Sequence, residues 1–455
     1  VVAALAVSEA ALGVIYAARG AGYVLDDWFT LGNARAAGIW ATPGHVIFVN
    51  RPGAGLLYCL VFGVFGGHPL AGLTLLTALS ASTAALVFLV CRRFLAWQPS
   101  LAVAVVWAWL PNHTSLEFWQ SCVPLAAATV LTLAGTLVVA RSDVARRQQL
   151  LAAALFTVAS LTYEAVFPIA LLVLVGAPWL AGRAWSARRD LAAAALLVPA
   201  AAYLVLFRST QKTISHVGPV AQVVPGHFGW GIVPAGPGAR VLVVMATVGL
   251  AVCVARLVLP TFRATTGVGE RMVAIGGVVV VAGTVPFTFY PYAPLGAGDR
   301  FTLVSSIGGA VAWVGLGIVL WRWRAVVIVG GAVLAVMSLT ARVQRVDRWT
   351  TAAGDSARIA RAIQRRFPVA STQRIVLGPS PVQQGDVAAF LDQSNVNGLL
   401  RYLYRSDVPG GIAYARADFE RFPPTQRVDV WQLSRLHADV DLSTDHQGTP
   451  RSHLP

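Results

Sequence analysis

The sequence predicts a polytopic α-helical membrane bundle of about eleven spans with a small external C-terminal α/β module. Three observations carry that expectation. Of the 455 residues, 56% are hydrophobic and only 12% are charged, against about 45–50% and roughly 25% in soluble globular domains. Apolar runs recur from residue 1 to about residue 340, each bounded by a small cluster of arginine. Beyond residue 341 the chain turns polar, with only short apolar segments. So little charge cannot cover a compact soluble surface of this size. A cytosolic enzyme, a secreted disulfide scaffold and a disordered chain are excluded.

A spanning helix needs about 20 mostly apolar residues, or roughly 17 at the short end. The expected spans, in order, are about 1–18, 69–90, 99–111, 122–140, 149–162, 165–181, 190–207, 240–260, 272–290, 301–320 and 325–341. The run Gly53–Phe65 is too short and is closed by Gly66-Gly67-His68-Pro69, so it reads as an interfacial helix. With that choice, one set of alternate loops carries thirteen arginines: 92, 93, 141, 146, 147, 183, 188, 189, 256, 263, 271, 322 and 324. The opposite set holds seven basic residues: Arg19, Arg35, Arg51, Arg208, Lys212, Arg240 and Arg300. Loops rich in arginine stay inside. The amino terminus is then internal and the carboxyl terminus external, in the plasma membrane of a bacterium. The chain opens Val1-Val2, without a methionine or a basic leader, so its start reads as trimmed.

Residues 1–341 form the expected transmembrane domain, with an external first loop at 19–68. Residues 342–455 form the expected soluble module. Within it, 342–367 reads as a basic amphipathic helix and Arg374–Gly378 as a strand entering a Pro379/Pro381 turn. Asp386–Leu391 reads as a helix, 411–415 and 427–433 as strands, and the end from about 436 as disordered. Four cysteines (Cys59, Cys91, Cys122, Cys253) have no metal-like spacing and read as buried free thiols. The net charge of +15 is dispersed along the chain, with no nucleic-acid-binding arm. Asn112-His-Thr114 matches a glycosylation triplet that also arises by chance.

The richest stretch is Gly22-Tyr-Val-Leu-Asp26-Asp27-Trp28-Phe29, directly after the first span. Two adjacent carboxylates beside a membrane repel each other and cost desolvation, which raises a pKa. One of them can then serve as general base on a hydroxyl, or simply start a helix at Trp28 as a cap. The loop runs on through His45 to Asn50-Arg51-Pro52-Gly53, and span two closes at Cys91-Arg92-Arg93-Phe94. This order resembles the GT-C class of membrane glycosyltransferases, best over residues 1–95.

The resemblance implies transfer of a sugar from a polyprenyl-phosphate donor to a cell-envelope glycan, lipid or protein, with inversion. Asp26 or Asp27 would be the catalytic base, Asp26 slightly favoured. Cations on the external face would hold the departing phosphate, for which Arg51, Lys212 and the Asp299-Arg300 pair are candidates. Glu117 beside Phe118-Trp119, Tyr163-Glu164 at a span boundary, and His45 complete the candidate substrate contacts. No cofactor is expected, and a divalent-metal requirement stays open. The expected partners are the polyprenyl-phosphate sugar, the envelope acceptor and membrane lipid, with no nucleic acid. The rival reading is a transporter or lipid-linked-sugar flippase. Transporters place ionisable residues near mid-membrane, and here Glu9 alone has that position.

Overall fold

The computed structural model describes residues 2–38, 51–66, 68–140, 144–180, 195, 197–198, 200–202, 267–287, 300, 302–370, 374–379, 383–384, 387–390 and 393–430. Eleven of the described helices run from α1 to α11. They are α1 (Val2–Ala18), α2 (Asp26–Ala37), α3 (Pro52–Tyr58, continued by a π-helical turn, Cys59–Val64), α4 (Pro69–Cys91), α5 (Trp97–Trp109) and α6 (Val123–Val139). Then come α7 (Arg146–Thr162), α8 (Phe167–Leu180), α9 (Val268–Thr284), α10 (Leu303–Val319) and α11 (Arg324–Arg366). The tail adds β1 (Ile375–Gly378), β2 (Gln383–Gln384), β3 (Val387–Ala388), α12 (Gln393–Tyr404), β4 (Gly410–Ile412), α13 (Arg416–Glu420) and β5 (Arg427–Asp429).

The chain divides into two compact units. Unit 1 comprises Val1–Ala11, Thr77–Ser115 and Pro124–Val343; unit 2 comprises Leu12–Leu76, Leu116–Val123 and Gln344–Pro455.

Unit 1 is helical among its described residues. α9 and α10 pack most closely, because glycines let the two backbones approach. A Cβ on Gly276 would meet the carbonyl oxygen of Gly308 at 2.5 Å and the backbone nitrogen of Ala312 at 2.7 Å. Small residues at such positions are how apolar helices associate where lipid is the solvent. Gly276→Val is therefore expected to cost about 3 kcal/mol by forcing the helices apart. Unfolding of the purified protein in detergent measures this, and a variant within about 0.5 kcal/mol of wild type would refute the packing argument. A second core joins α7 and α8, where Ala152, Phe156, Ala170 and Leu174 are buried together.

Unit 1 also buries an ion pair. Arg342 Nη1 lies 3.4 Å from Glu9 Oε1, and the Ser80 hydroxyl donates to Glu9 Oε2 at 2.8 Å. Both charged residues are about 2% exposed. Glu9, an isolated acid in an apolar helix by sequence, is thus a paired one.

In unit 2, α12 packs against α2 at a glycine pair: a Cβ on Gly32 would run into the carbonyl of Gly398. A three-stranded parallel sheet, ordered β4–β1–β5, lies beyond. The strands need crossovers, which α12 and α13 supply. Val376, Ala413 and Phe419 form the small core there. Val346, Trp349, Ala353, Ile359, Ala360 and Ile363 are buried on α11 at helical spacing. The expected amphipathic helix at 342–367 and the expected last span are one 43-residue helix.

The expected strand at 374–378 is β1, and those at 411–415 and 427–433 are the shorter β4 and β5. The expected helix at 386–391 is instead strand β3, paired antiparallel with β2. Its Val387, Ala388, Ala389 and Phe390 are all buried, and a continuous apolar run of that length suits a buried extended segment as well as a helix. Residues from 431 onward lie outside the described residues.

The eleven-span bundle and the GT-C resemblance are both corrected. Among the described residues three helices are long and apolar enough to cross a membrane: Pro69–Cys91, Gln120–Val139 and Trp321–Arg366. That is far short of the number a GT-C fold carries. The physical reason is helix length. Helices α1, α7, α9 and α10 have 17 residues each, at the short limit of a span, and α5 has 13, where about 20 are usual for the hydrocarbon core. The expected span 240–260 lies outside the described residues, as does most of 190–207. Three such helices are consistent with membrane association. The exposed side chains of Val326, Val329, Val333 and Val336 on α11 form the apolar surface such an environment takes up.

Candidate functional site

The acidic pair opens α2, where two carboxylates in a first turn favour the helix dipole. The turn before it is unusual. Leu25 has a φ of 51° and is fully buried, held by its backbone N–H donating to the Ala389 carbonyl at 3.0 Å. A bulky residue in the left-handed region persists only where its surroundings over-determine it. Successive residues of a helix point about 100° apart, so the two carboxylates have different surroundings.

Asp27 is completely buried. Its Oδ1 accepts the Ser121 backbone N–H at 2.8 Å and the Ser121 hydroxyl at 2.6 Å. Its Oδ2 accepts the Val24 N–H at 3.2 Å. Burial pushes the carboxyl up to about 7. The Ser121 and Val24 hydrogen bonds oppose that rise, and the charge of Asp26 adds to it. Desolvation therefore outweighs three donors, and the group titrates near neutrality.

Asp26 is half-buried, and its Oδ1 accepts from Asn395 Nδ2 at 3.2 Å. Ser121 is a junction, because its carbonyl also takes the Tyr58 hydroxyl at 2.8 Å. The neighbouring Gln120 donates to the Pro69 carbonyl at 3.0 Å. The segment 116–123 thus ties α2, α3 and the start of α4 together. Glu117, in the same segment, is buried in a one-turn helix, Ser115–Phe118. Arg51 precedes α3, where its carbonyl accepts the Gly55 N–H at 3.0 Å.

The remaining candidates belong to unit 1 or are not described. Tyr163 is buried and Glu164 half-buried at the break between α7 and α8. Arg300 is partly buried ahead of α10. His45, Lys212 and Asp299 lie outside the described residues. Asn112, His113 and Thr114 are all buried, so the triplet is no accessible glycosylation site. His113 stacks on Trp107 with ring centroids 4.5 Å apart. A ring nitrogen of His113 and a carboxylate oxygen of Glu9 lie within 4.8 Å. These are two metal-capable donors, but Glu9 is already neutralised by Arg342. Cys59, Cys91 and Cys122 are buried free thiols, as expected.

Sequence reasoning did not find Ser121 or Asn395. Ser121 sits two residues beyond the Glu117–Trp119 stretch that drew attention, yet an isolated serine carries no pattern. Asn395 is 369 residues from Asp26, the acid it meets, and only the fold of the tail brings it there.

No protein family, curated protein or solved structure matches this chain. Glycosyl transfer from a polyprenyl-phosphate donor, expected from the resemblance, is therefore corrected, and so is the rival transporter or flippase reading. Neither has a match, and three long apolar helices do not make the large polytopic fold that both imply.

Proposed function

We propose that the protein is a membrane-embedded enzyme whose acid–base centre is the Asp26–Asp27 pair of unit 2. The observation that carries this reading is the split environment of two adjacent carboxylates. Asp27 is sealed and pushed up to about 7, while Asp26 is only half-buried. Pairs of acids whose surroundings separate them are the usual basis for assigning acid and base roles. In this reading Asp26 meets the substrate and takes the proton of a hydroxyl. Asp27, behind it, fixes the start of α2 and changes the local charge near neutral pH.

The proposed partners are a hydroxyl-bearing component of the cell envelope and the surrounding membrane lipid. The proposed setting is a bacterial plasma membrane, supported by the three long apolar helices among the described residues.

The test uses protein purified into lipid nanodiscs and incubated with an envelope extract, with products followed by mass spectrometry. Asp26→Asn is expected to lower product formation at least about 100-fold while leaving the melting temperature unchanged. Equal product from wild type and Asp26→Asn, or no product from either, would sink the proposal. A second reading, in which Asp27 is a tether only, draws on its three hydrogen bonds. It predicts that Asp27→Asn lowers stability and Asp26→Asn changes nothing.

A further inference from the structure

A cavity of about 320 Å³ opens in unit 2 and is lined by Leu31, Ala34, Arg35, Phe62, Tyr402 and Arg405. It lies toward the C-terminal end of α2, away from the acidic pair, and owes nothing to the acid–base reading. No aspartate or glutamate lines it. Among the described residues neither Arg35 nor Arg405 forms a salt bridge. By contrast Arg401, one turn before Arg405, is taken up by Asp407 at 2.5 Å and Asn33 at 2.6 Å.

Arg35 is held in place by an aromatic stack. The Arg35 guanidinium lies 4.2 Å over the Tyr402 ring, a stacking that leaves its in-plane N–H groups for another partner. Tyr402 in turn packs edge-on to Trp28, with centroids 5.5 Å apart, and Trp28 is anchored by its indole N–H donating to the Ser356 hydroxyl at 2.5 Å. Arg405 has a φ of 54° just after α12, at the helix end where glycine is usual. An arginine there costs backbone strain, and its side chain lines the cavity. Two unpaired guanidinium groups in one cavity suit a phosphate, which accepts their forked hydrogen bonds.

The element that supplies part of the cavity lining also carries an apolar stripe. Phe62 and Gly63 belong to the π-helical turn that continues α3. Along that element Leu56, Leu60 and Val64 recur every four residues and are 64%, 37% and 63% exposed. Residues spaced by four lie on one helix face, and an exposed apolar face beside cations is the pattern of a lipid-interface element.

We propose that this cavity binds the phosphate group of an anionic amphiphile, with Arg35 and Arg405 on the phosphate and the Leu56–Leu60–Val64 stripe along the apolar chain. The chemistry recognised is a phosphate ester, whether carried by a membrane lipid or by a soluble ester. Native mass spectrometry of the full chain in detergent tests it, with phosphatidylglycerol and glycerol 3-phosphate as separate probes. Saturable binding of one equivalent is expected. Arg35→Gln and Arg405→Gln should each weaken it about tenfold, the loss of one charge-assisted hydrogen-bonding group.

Both side chains are exposed, so the melting temperature should not move. Arg92→Gln/Arg93→Gln removes the same charge outside the cavity and should leave binding intact. If Leu56→Ser/Leu60→Ser weakens phosphatidylglycerol but not glycerol 3-phosphate, the source is lipid. If glycerol 3-phosphate binds as tightly and those variants have no effect, the site takes a soluble phosphate ester. Undiminished binding in Arg35→Gln/Arg405→Gln, equal loss in the Arg92/Arg93 control, or no saturable binding of either probe overturns the proposal.

Discussion

Glu9→Ala is expected to destabilise unit 1 by about 3–5 kcal/mol, since it leaves the Arg342 charge buried without its carboxylate. Glu9 and Arg342 are both about 2% exposed, and the Ser80 hydroxyl donates to the acid side of the pair. Removing both charges together should behave differently. Replacing a buried pair by apolar residues of similar volume is often neutral, so Glu9→Leu/Arg342→Met should recover most of the loss. Denaturant unfolding in detergent, followed by tryptophan fluorescence, distinguishes the cases. A Glu9→Ala protein within about 1 kcal/mol of wild type would mean that the pair is solvated and its burial unimportant.

The second large effect is a pH dependence seated on one residue. An unfolded aspartate titrates near 3.9, and burial lifts folded Asp27 to about 7. Between those values the folded protein holds a proton that the unfolded chain releases, so stability falls as pH rises through the window. Below about pH 4 both states are protonated and the penalty is absent; above about 7 it is complete. Three units at 1.36 kcal/mol each give on the order of 4 kcal/mol.

Wild type should therefore melt lower at pH 8 than at pH 5, and Asp27→Asn should remove that part of the slope. The asparagine keeps an oxygen for the Ser121 donors but turns an N–H toward the Val24 N–H. It should therefore start less stable at pH 5 and converge with wild type at pH 8. Parallel pH profiles for the two proteins would falsify the assignment of the slope to Asp27.

Much of the candidate site was legible from residue types, and the rest was not, for reasons of distance along the chain. The pair Asp26-Asp27 stood out because acids are scarce in a chain with 12% charged residues. Which of them is sealed depends on Ser121, 94 residues away. By sequence Arg35 is one basic residue among seven on one side, and Arg405 belongs to no pattern. Their cavity exists only because α12 docks on α2 at Gly32 and Gly398, and no local pattern announces a glycine as a docking point. By sequence Glu9 is an acid alone near the middle of an apolar helix. Its partner is Arg342, 333 residues later.

Composition and hydropathy alone determined that this protein belongs with a membrane, that its tail is of another kind, and where its sparse charges fall. These are properties of transfer free energy, which adds along a chain and needs no knowledge of neighbours. Span number was beyond them. An apolar run has the same composition whether its helix continues or breaks. Only the tertiary structure decided which charges are paired, which carboxylate is desolvated and which arginines face a common cavity. Pairing and desolvation depend on separation in space, and separation in space is what a linear sequence does not carry.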